Sequence, residues 1–234
     1  MVESLTRGRI AGTDGAHLDP DLRTDAIRRA NGWRPTFGQA GAAETHLARR
    51  RVGPGDLFLF FGSFRRAERD GNGLRFVRET PKLHIIFGWL QVGEVRPVTD
   101  GLAKELPWAR RHPHLSEPAR YKNNTLYLAS ERLSSLKLDS PGGGIFDRLR
   151  PELILTATDP YTRCSTWMLP RWIHPGARTP LSYHSKLTRW TKSATSVRLR
   201  SAYPGQEFVL DLDEYPEAYA WLRGIFGGSK DVRG

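Results

Sequence analysis

Long apolar runs separated by turn residues mark the central part of the chain. Leu57 to Phe61 is one such run, and Leu83 to Val95 is a longer one that is rich in β-branched and aromatic residues. The loop Asp70 to Gly73 between them is typical of a hairpin, because asparagine and glycine accept positive φ. The pattern predicts a buried strand, a hairpin and a long strand that bends at Gly88 and Gly93.

Helix signals occur before this region and near the end of the chain. Asp19 before Pro20 is typical of a helix start and predicts a helix to about Ala30, and a second helix is predicted from about Gln39 or Ala40 to Arg51. Pro97 to Tyr121 predicts a long connection with little regular structure. The other predicted elements are strands over Asn123 to Ala129, Leu153 to Thr156, Ser196 to Ala202 and Gly205 to Leu210, and a helix over Tyr215 to Phe226.

These elements predict an α+β fold, a bent mixed or antiparallel β-barrel with helices packed at its opening. We expect a single domain over residues 17–226, a flexible arm over residues 1–16 and a disordered tail over residues 227–234. Gly55-Asp56 leading into a strand, with a later strand that ends in Leu90 to Val95, resembles the core of PUA-like barrels, which include the EVE, YTH and ASCH families. The resemblance implies an open side that holds RNA or a modified nucleobase. Gly-Asp before a strand also occurs in many other β-barrels.

The charge of the chain predicts a class of binding partner. The chain has 36 Lys and Arg against 25 Asp and Glu, a formal net charge of +11. Residues 151–200 hold eight basic and two acidic residues, whereas residues 201–234 hold three basic and six acidic residues. A basic patch attracts polyanions by releasing their counterions, so nucleic acid or a nucleotide is the expected partner. The alternative is that the basic surface only keeps the protein soluble.

Hydropathy and cysteine content bear on the compartment. No apolar run approaches the ~20 residues that span a bilayer, and the N-terminus lacks the order of a signal peptide. The single cysteine, Cys164, excludes an internal disulfide, which is typical of a reducing compartment. We therefore expect a cytoplasmic protein without a membrane partner.

Aromatic and basic residues alternate between residues 161 and 190, as in surfaces that stack bases and contact phosphates. The expected phosphate contacts are Arg163, Arg171, Arg178, Lys186 and Arg189. Rings and polar groups in predicted loops and strand ends would complete a pocket for a base. The candidate base- or nucleotide-binding residues are Gln39, Trp89, Gln91, Trp108, Asn123, Asn124, Trp167, Ser182, Tyr183 and Gln206. The alternative for each of them is core packing or turn capping.

Candidate acid–base groups are few. They are His17, Asp19, His84 and His184. A helix cap explains Asp19 without any chemistry. Motifs of zinc hydrolases and deaminases, such as HExxH or CxxC, are absent from the sequence. We predict no metal site and no cofactor, although His112 and His114 would form a metal site with His84 if the fold brought them together.

Eight segments of the chain resemble the third family of nucleotide modification associated domains. They are HLDPDL at His17 to Leu22, RPTFGQAGAAETHL at Arg34 to Leu47, GDLFLFFGSFR at Gly55 to Arg65, HIIFGWLQVGEV at His84 to Val95, PWARRHPH at Pro107 to His114, NNTLYLAS at Asn123 to Ser130, LSYH at Leu181 to His184 and GQEFVLD at Gly205 to Asp211. The resemblance runs from about His17 to Phe226 and implies a place in prokaryotic or phage systems that modify DNA or nucleotides. DNA is then favoured over RNA, and the cytoplasm of a bacterium or a phage-infected cell is the expected location.

The resemblance implies no particular catalytic residues. Many members begin with a strand and a Ser-Arg-Lys-Gly segment, which Leu5 to Ile10 does not reproduce. If that segment supplies catalytic groups, this chain is a divergent or non-catalytic member.

Three functions stay open from the sequence. The first is a nucleic-acid-directed protein that recognises a modified or flipped base in prokaryotic or phage DNA modification or restriction. The second is an enzyme that acts on a nucleobase or nucleotide through His and Asp groups. The third is a phage accessory protein that acts through protein contacts, in which the basic patch has no role.

Overall fold

Strand β5 (Leu83–Pro97) organises the fold, because it pairs with three other strands. Its N-terminal half pairs with β2 (Leu57–Phe64) and β7 (Gly143–Ile145), and its C-terminal half pairs with β6 (Thr125–Ala129). β1 (Thr36–Gln39) pairs with β6 and completes a five-stranded sheet in which every pairing is antiparallel. The computed structural model describes residues 2–71, 73–159, 162–202 and 207–227.

Two register shifts bend this sheet. One lies between Phe60 and Phe61, opposite Gly88, and the other lies at Gly93, where β5 has one residue more than β6. Both predicted bends of the long strand are therefore confirmed, because a bulge twists and bends the strand that carries it. The result is a curled antiparallel half-barrel within an α+β fold. The residues of β2 are only partly buried, so the prediction of a buried strand there was too strong.

A smaller sheet covers the interior beside the half-barrel. It consists of β8 (Thr166–Pro170), β10 (Ser196–Arg200) and β9 (Trp190–Lys192), in that order. Val197 and Leu199 are buried, whereas Arg198 is partly exposed and Arg200 is exposed, as the alternating pattern predicts. The predicted hairpin is present as β3 (Ala67–Asp70) and β4 (Gly73–Phe76).

Helices are short and lie outside the sheets. They are α1 (Val2–Thr6), α2 (Gly41–Arg49), α3 (Leu102–Glu105), α4 (Pro113–Ser116) and α5 (Glu217–Gly227). Single 3₁₀ turns cover Pro107–Ala109, Pro118–Arg120, Ser134–Leu136, Pro151–Leu153, Arg171–Ile173 and Leu187–Arg189. The predicted helices at α2 and α5 and the predicted strand at β6 are confirmed. Among the described residues, no helix is both long and apolar enough to cross a membrane.

The predicted helix from Pro20 to Ala30 is wrong. Asp21 instead forms two main-chain hydrogen bonds with Thr36, and the Asp19 carboxylate accepts the N–H of Gly38 rather than capping a helix. Contacts with β1 outweigh the local helix start signal, since helix propensity is a weak preference.

Other segments also differ from the prediction. The connection from Pro97 to Tyr121 contains α3, α4 and two 3₁₀ turns, and Leu153 lies in a 3₁₀ turn followed by isolated bridges at Ile154 and Thr156. Residues 207–210 form no strand, and residues 205 and 206 lie outside the described part of the chain. Helix α1, which lies in the predicted arm, packs near β4. The flexibility of that arm stays a prediction, and the tail beyond residue 227 is not described.

Strand β6 is buried on both faces, and one of these faces packs against the connection that follows β5. All five residues of β6 are buried. Leu126 and Leu128 pack against Leu102, Leu106 and Leu115 of that connection. Tyr127 and Ala129 belong to a second apolar cluster that includes β5 and α2, and a third cluster lies between β5, the smaller sheet and α5. The connection is therefore anchored to the core both before α4 and within it.

The bulge at Gly93 gives a stability prediction. A Cβ atom at this position would lie 2.7 Å from Ser130 Cα and 2.8 Å from Ser130 N. Because main-chain atoms must then move, Gly93→Ala should lower the free energy of unfolding by about 1–3 kcal/mol in urea titrations. Gly224→Ala is the matched control, since a Cβ there meets no atom within 4 Å and alanine favours the α5 helix by up to about 1 kcal/mol. Equal unfolding midpoints for Gly93→Ala and the unmodified protein would contradict the prediction.

Candidate functional site

Three histidines surround the carboxylate of Asp19. Its Oδ1 accepts the N–H of Gly38 at 2.9 Å and lies 3.5 Å from His112 Nε2. Its Oδ2 lies 3.3 Å from His114 Nε2 and 3.7 Å from His17 Nε2. The side chain of Asp19 is 7% exposed and that of His17 is 50% exposed. We call these four residues, His17, Asp19, His112 and His114, the histidine–aspartate cluster.

The sequence His112-Pro113-His114 places two of these rings on one short turn. His112 is the N-cap of α4, and its Nδ1 accepts the N–H of His114 at 3.4 Å. Proline is favoured at the first helical position, because its missing N–H would have no partner there. Leu115 anchors the same turn in the apolar cluster on β6. The turn thus presents both imidazoles to Asp19.

His114 has a fixed ring orientation. Its Nδ1 lies 2.5 Å from Asn124 Oδ1, while Asn124 Nδ2 donates to the main-chain oxygen of His114 at 2.9 Å. The ring of Tyr121 stacks on that of His114, with centroids 4.2 Å apart. Since the amide oxygen faces Nδ1, that nitrogen carries a proton, and the ring is held with Nε2 facing Asp19. Gly38 is required beside it, because a Cβ there would lie 2.5 Å from the His114 ring.

Opposite pKa shifts accompany this geometry. Burial alone would raise the pKa of Asp19, but its interactions with His112 and His114 and the N–H of Gly38 hold that pKa below its ordinary value. Burial alone would lower the pKa of His114, yet its interactions with Asp19 and Asn124 outweigh burial and raise it. Asp19 is therefore a carboxylate at neutral pH, and it favours a cation on the side of His114.

His112 has an unpartnered atom. Its Nε2 is buried and has no hydrogen-bond partner among the described residues, and Asp19 Oδ1 lies 3.5 Å from it, which is long for a hydrogen bond. Buried polar atoms of this kind are rare in folded proteins and usually have a specific reason.

A cleft of about 410 Å³ lies beside the cluster, with His112 in its wall. The indole rings of Trp33 and Trp108 line it, together with the exposed arginines Arg28, Arg110 and Arg111. In the part of the chain that the structure describes, these three arginines form no ion pair or hydrogen bond with protein groups. We call Trp33, Trp108, Arg28, Arg110 and Arg111 the tryptophan–arginine cleft.

Trp33 is held in the cleft wall by a buried ion pair. Arg29 binds the Asp21 carboxylate through two guanidinium nitrogens and lies over the Trp33 ring, 4.1 Å from its centroid. Trp33 Nε1 donates to the same carboxylate at 3.2 Å. Arg29 is therefore occupied structurally, unlike the three free arginines.

A second polar group adjoins the other end of β1. Gln39 Nε2 donates to Glu207 Oε1 at 2.5 Å, and Ser182 Oγ lies 3.1 Å from His46 Nε2. The Tyr183 ring contacts that of His46, with centroids 4.5 Å apart and planes tilted by 37°, and Tyr183 has a φ of 65°, a left-handed conformation that is uncommon for tyrosine. Burial lowers the pKa of His46 and raises that of Glu207, so both groups tend towards neutrality. We call Gln39, His46, Ser182, Tyr183 and Glu207 the Ser182 cluster, and its Gln39 directly follows Gly38 in β1, whose N–H donates to Asp19.

Several predicted site residues pack against the core, where Trp167 is buried and Trp89 and His84 are partly buried. Trp89 packs against Phe146 and Phe226, and Trp167 donates from Nε1 to His84 Nδ1 at 2.9 Å. Burial lowers the pKa of His84. The structure thus assigns these three residues packing contacts away from the cleft and from the histidine–aspartate cluster.

Gln91 and His184 are also buried, with their polar atoms paired. The Gln91 amide donates to Ser134 Oγ at 2.8 Å and accepts the N–H of Ser135 at 2.9 Å. His184 Nδ1 lies 2.8 Å from the main-chain oxygen of Ser182, and its Nε2 accepts the N–H of Ala202 at 2.9 Å. Because both ring nitrogens of His184 are occupied by the main chain, neither is directed at solvent. Trp89, Tyr183 and His184 therefore do not meet in one cavity.

Three of the five predicted phosphate contacts are bound to groups of the chain itself. Arg171, Arg178 and Arg189 bind main-chain carbonyls, and Arg178 also pairs with Glu217. Arg163 and Lys186 are exposed. The charge of residues 151–200 is thus partly used within the fold.

The other predicted residues divide among the sites. Trp108 lines the cleft, Asn124 holds His114, and Gln39, Ser182 and Tyr183 share the Ser182 cluster. Asn123 donates to Thr45 Oγ1 at 2.9 Å beside α2. Gln206 lies outside the described residues. The sequence reasoning missed Trp33, Arg28, Arg110, Arg111, Tyr121 and His46 as site residues, and only the spacing of His112 and His114 carried a signal.

Comparison with known proteins agrees with the family resemblance. A family model described as nucleotide modification associated domain 3 matches residues 1–211, a range that contains both histidine clusters and the cleft. No curated protein and no solved structure gives a significant match to the chain. Since the matched range covers most of its 234 residues, the chain belongs to the nucleotide modification associated domain 3 family.

Proposed function

We propose that the chain binds a modified or flipped base of DNA in the tryptophan–arginine cleft, within a prokaryotic or phage system of DNA modification or restriction. The observation that carries the proposal is the cleft itself, in which two indole rings and three unpaired guanidinium groups surround a volume of about 410 Å³. Family membership supports the nucleotide as the ligand class.

The cleft offers both kinds of contact that a nucleotide needs. Aromatic faces stack bases with about 1–3 kcal/mol per base, and guanidinium groups bind phosphate oxygens in pairs of hydrogen bonds. Trp33 and Trp108 provide the faces, while Arg110 and Arg111 follow Trp108 closely in the chain. The volume lies within the range of about 300–1,000 Å³ that is typical of small-molecule sites.

The cleft is a better candidate than the basic segment over residues 151–200. Three of the five arginine and lysine residues predicted there to contact phosphate are bound to carbonyl groups of the chain. The arginines of the cleft are exposed and free of protein partners among the described residues. We therefore favour the cleft as the phosphate-binding surface.

A second function, an enzyme that acts on the bound base, is favoured by one specific observation. His112 lines the cleft and also contacts Asp19, whose carboxylate is paired with His114. A carboxylate–imidazole pair with opposite pKa shifts is suited to general acid–base catalysis. His112, the member of the cluster that lines the cleft, would then be the group nearest to the substrate.

Trp108→Ala tests the binding proposal. Loss of one stacking ring should weaken binding by about 1–3 kcal/mol, which is roughly 5- to 150-fold in Kd. Fluorescence anisotropy with a labelled DNA duplex that contains one central mismatch measures this, because a mismatched base is extruded at a lower cost. Arg111→Ala should also reduce the slope of log Kd against log salt by about 1.

Lys186→Ala and Arg163→Ala are the matched controls, since both residues are exposed and lie outside the cleft. They should leave Kd close to that of the unmodified protein. Loss of affinity in these two variants, with Trp108→Ala unaffected, would place the DNA on residues 151–200 instead. If the unmodified protein binds no DNA at low salt, action through protein contacts becomes the better function.

The enzyme hypothesis predicts a chemical change in DNA. Nucleosides recovered after incubation should show a new mass, and Asp19→Asn should lower the rate of its formation by at least about 100-fold because it removes the carboxylate charge. Mass spectrometry of digested DNA gives the measurement, and Lys186→Ala should retain the activity. Unchanged nucleosides in host and phage DNA would count against an enzyme and leave recognition as the function.

A further inference from the structure

We propose that His17, Asp19 and His114 form a binding site for a divalent transition-metal ion. Each residue offers one ligand atom, and the three atoms lie within 4.8 Å of one another. This metal site goes beyond the proposed function, because the histidine–aspartate cluster would bind the ion whether or not DNA is bound.

The free atoms of the cluster point the right way for a cation. Gly38 N–H occupies Oδ1 of Asp19, so that Oδ2 is the oxygen directed at His114 and His17. Asn124 binds Nδ1 of His114 and leaves Nε2 for a metal ion. Histidine ligands of metal sites usually have such a partner on the other ring nitrogen, and this partner fixes the tautomer and orientation.

His112 supplies a second, independent observation. The residue is 4% exposed, and its Nε2 has no hydrogen-bond partner among the described residues although it lies 3.5 Å from Asp19 Oδ1. Carboxylates that bind metal ions commonly accept a further hydrogen bond that holds them in place. His112 is placed to provide that hydrogen bond once a cation draws the carboxylate into position, so we assign it as a positioning residue.

The ligand types restrict the ion. Two imidazoles and one carboxylate suit zinc, iron, cobalt, nickel or copper, whereas magnesium and calcium prefer oxygen ligands alone. Three protein ligands leave coordination positions open for water or a substrate. The half-exposed ring of His17 gives the ion a route from solvent. The alternative occupant of this space is a proton on His114, which would pair with Asp19 and compete with the ion for Nε2.

Metal titration of the full chain without a polyhistidine tag tests the site. The protein is first dialysed against a chelator and then titrated with Zn²⁺ by calorimetry and with Co²⁺ by visible absorption. We expect saturable binding of one ion per chain. His17→Ala should weaken it at least about tenfold, and Asn124→Ala should weaken it about 10- to 100-fold by releasing the His114 ring.

The variants separate metal binding from folding. His17 is half exposed, so His17→Ala should keep the unfolding temperature of the unmodified protein. His174→Ala, a histidine outside the cluster, should bind Zn²⁺ like the unmodified protein. The absence of saturable binding, or binding that His17→Ala leaves unchanged, overturns the proposal, and so does displacement of Co²⁺ by equimolar Mg²⁺. DNA binding by the unmodified protein and by Trp108→Ala is measured in the presence of a chelator. Failure of the DNA-binding proposal is therefore distinguishable from failure of the metal-binding proposal.

Discussion

The ionised carboxylate of Asp19, held away from water, is the constraint on which this site depends. An unpaired buried charge costs several kcal/mol, so a fold that contains one must supply donors or cations around it. Here the donors come from β1 through Gly38 and from the turn that carries His112 and His114. One group therefore joins the N-terminal segment, the first strand of the sheet and the connection after β5. Gly38 permits this meeting because it has no side chain to displace the His114 ring.

The half-barrel explains why these groups stay in place. β6 is covered on both faces, and the leucines on one of its faces hold the connection that contains Trp108, His112 and His114. Sites on well-packed elements keep their geometry better than sites on free loops. The cleft and the histidine–aspartate cluster also share His112. His112 therefore connects the wall of the cleft to the carboxylate of Asp19.

Local patterns predicted the elements that tertiary contacts did not override. The bend at Gly93, the strand at β6 and helix α2 follow from glycine placement and apolar periodicity. The segment after Asp19 could not be predicted, because main-chain pairing of Asp21 with Thr36 replaced the helix that its sequence favours. For the site, Trp108 and Trp167 look alike in sequence, and only the pairing of β8 with β10 shows that Trp167 is buried. The short spacing of His112 and His114 was visible, but their partner Asp19 lies far away in the chain.

The double-sided burial of β6 has a consequence for genetics. Replacing Leu126 with a smaller residue would leave space beside the leucines that hold α4 against the core. The imidazoles of His112 and His114 would then shift, although Leu126 makes no polar contact with either ring. Loss-of-function screens would then recover core and site positions together. Only alleles that accumulate to normal levels in the cell would identify residues that meet the ligand.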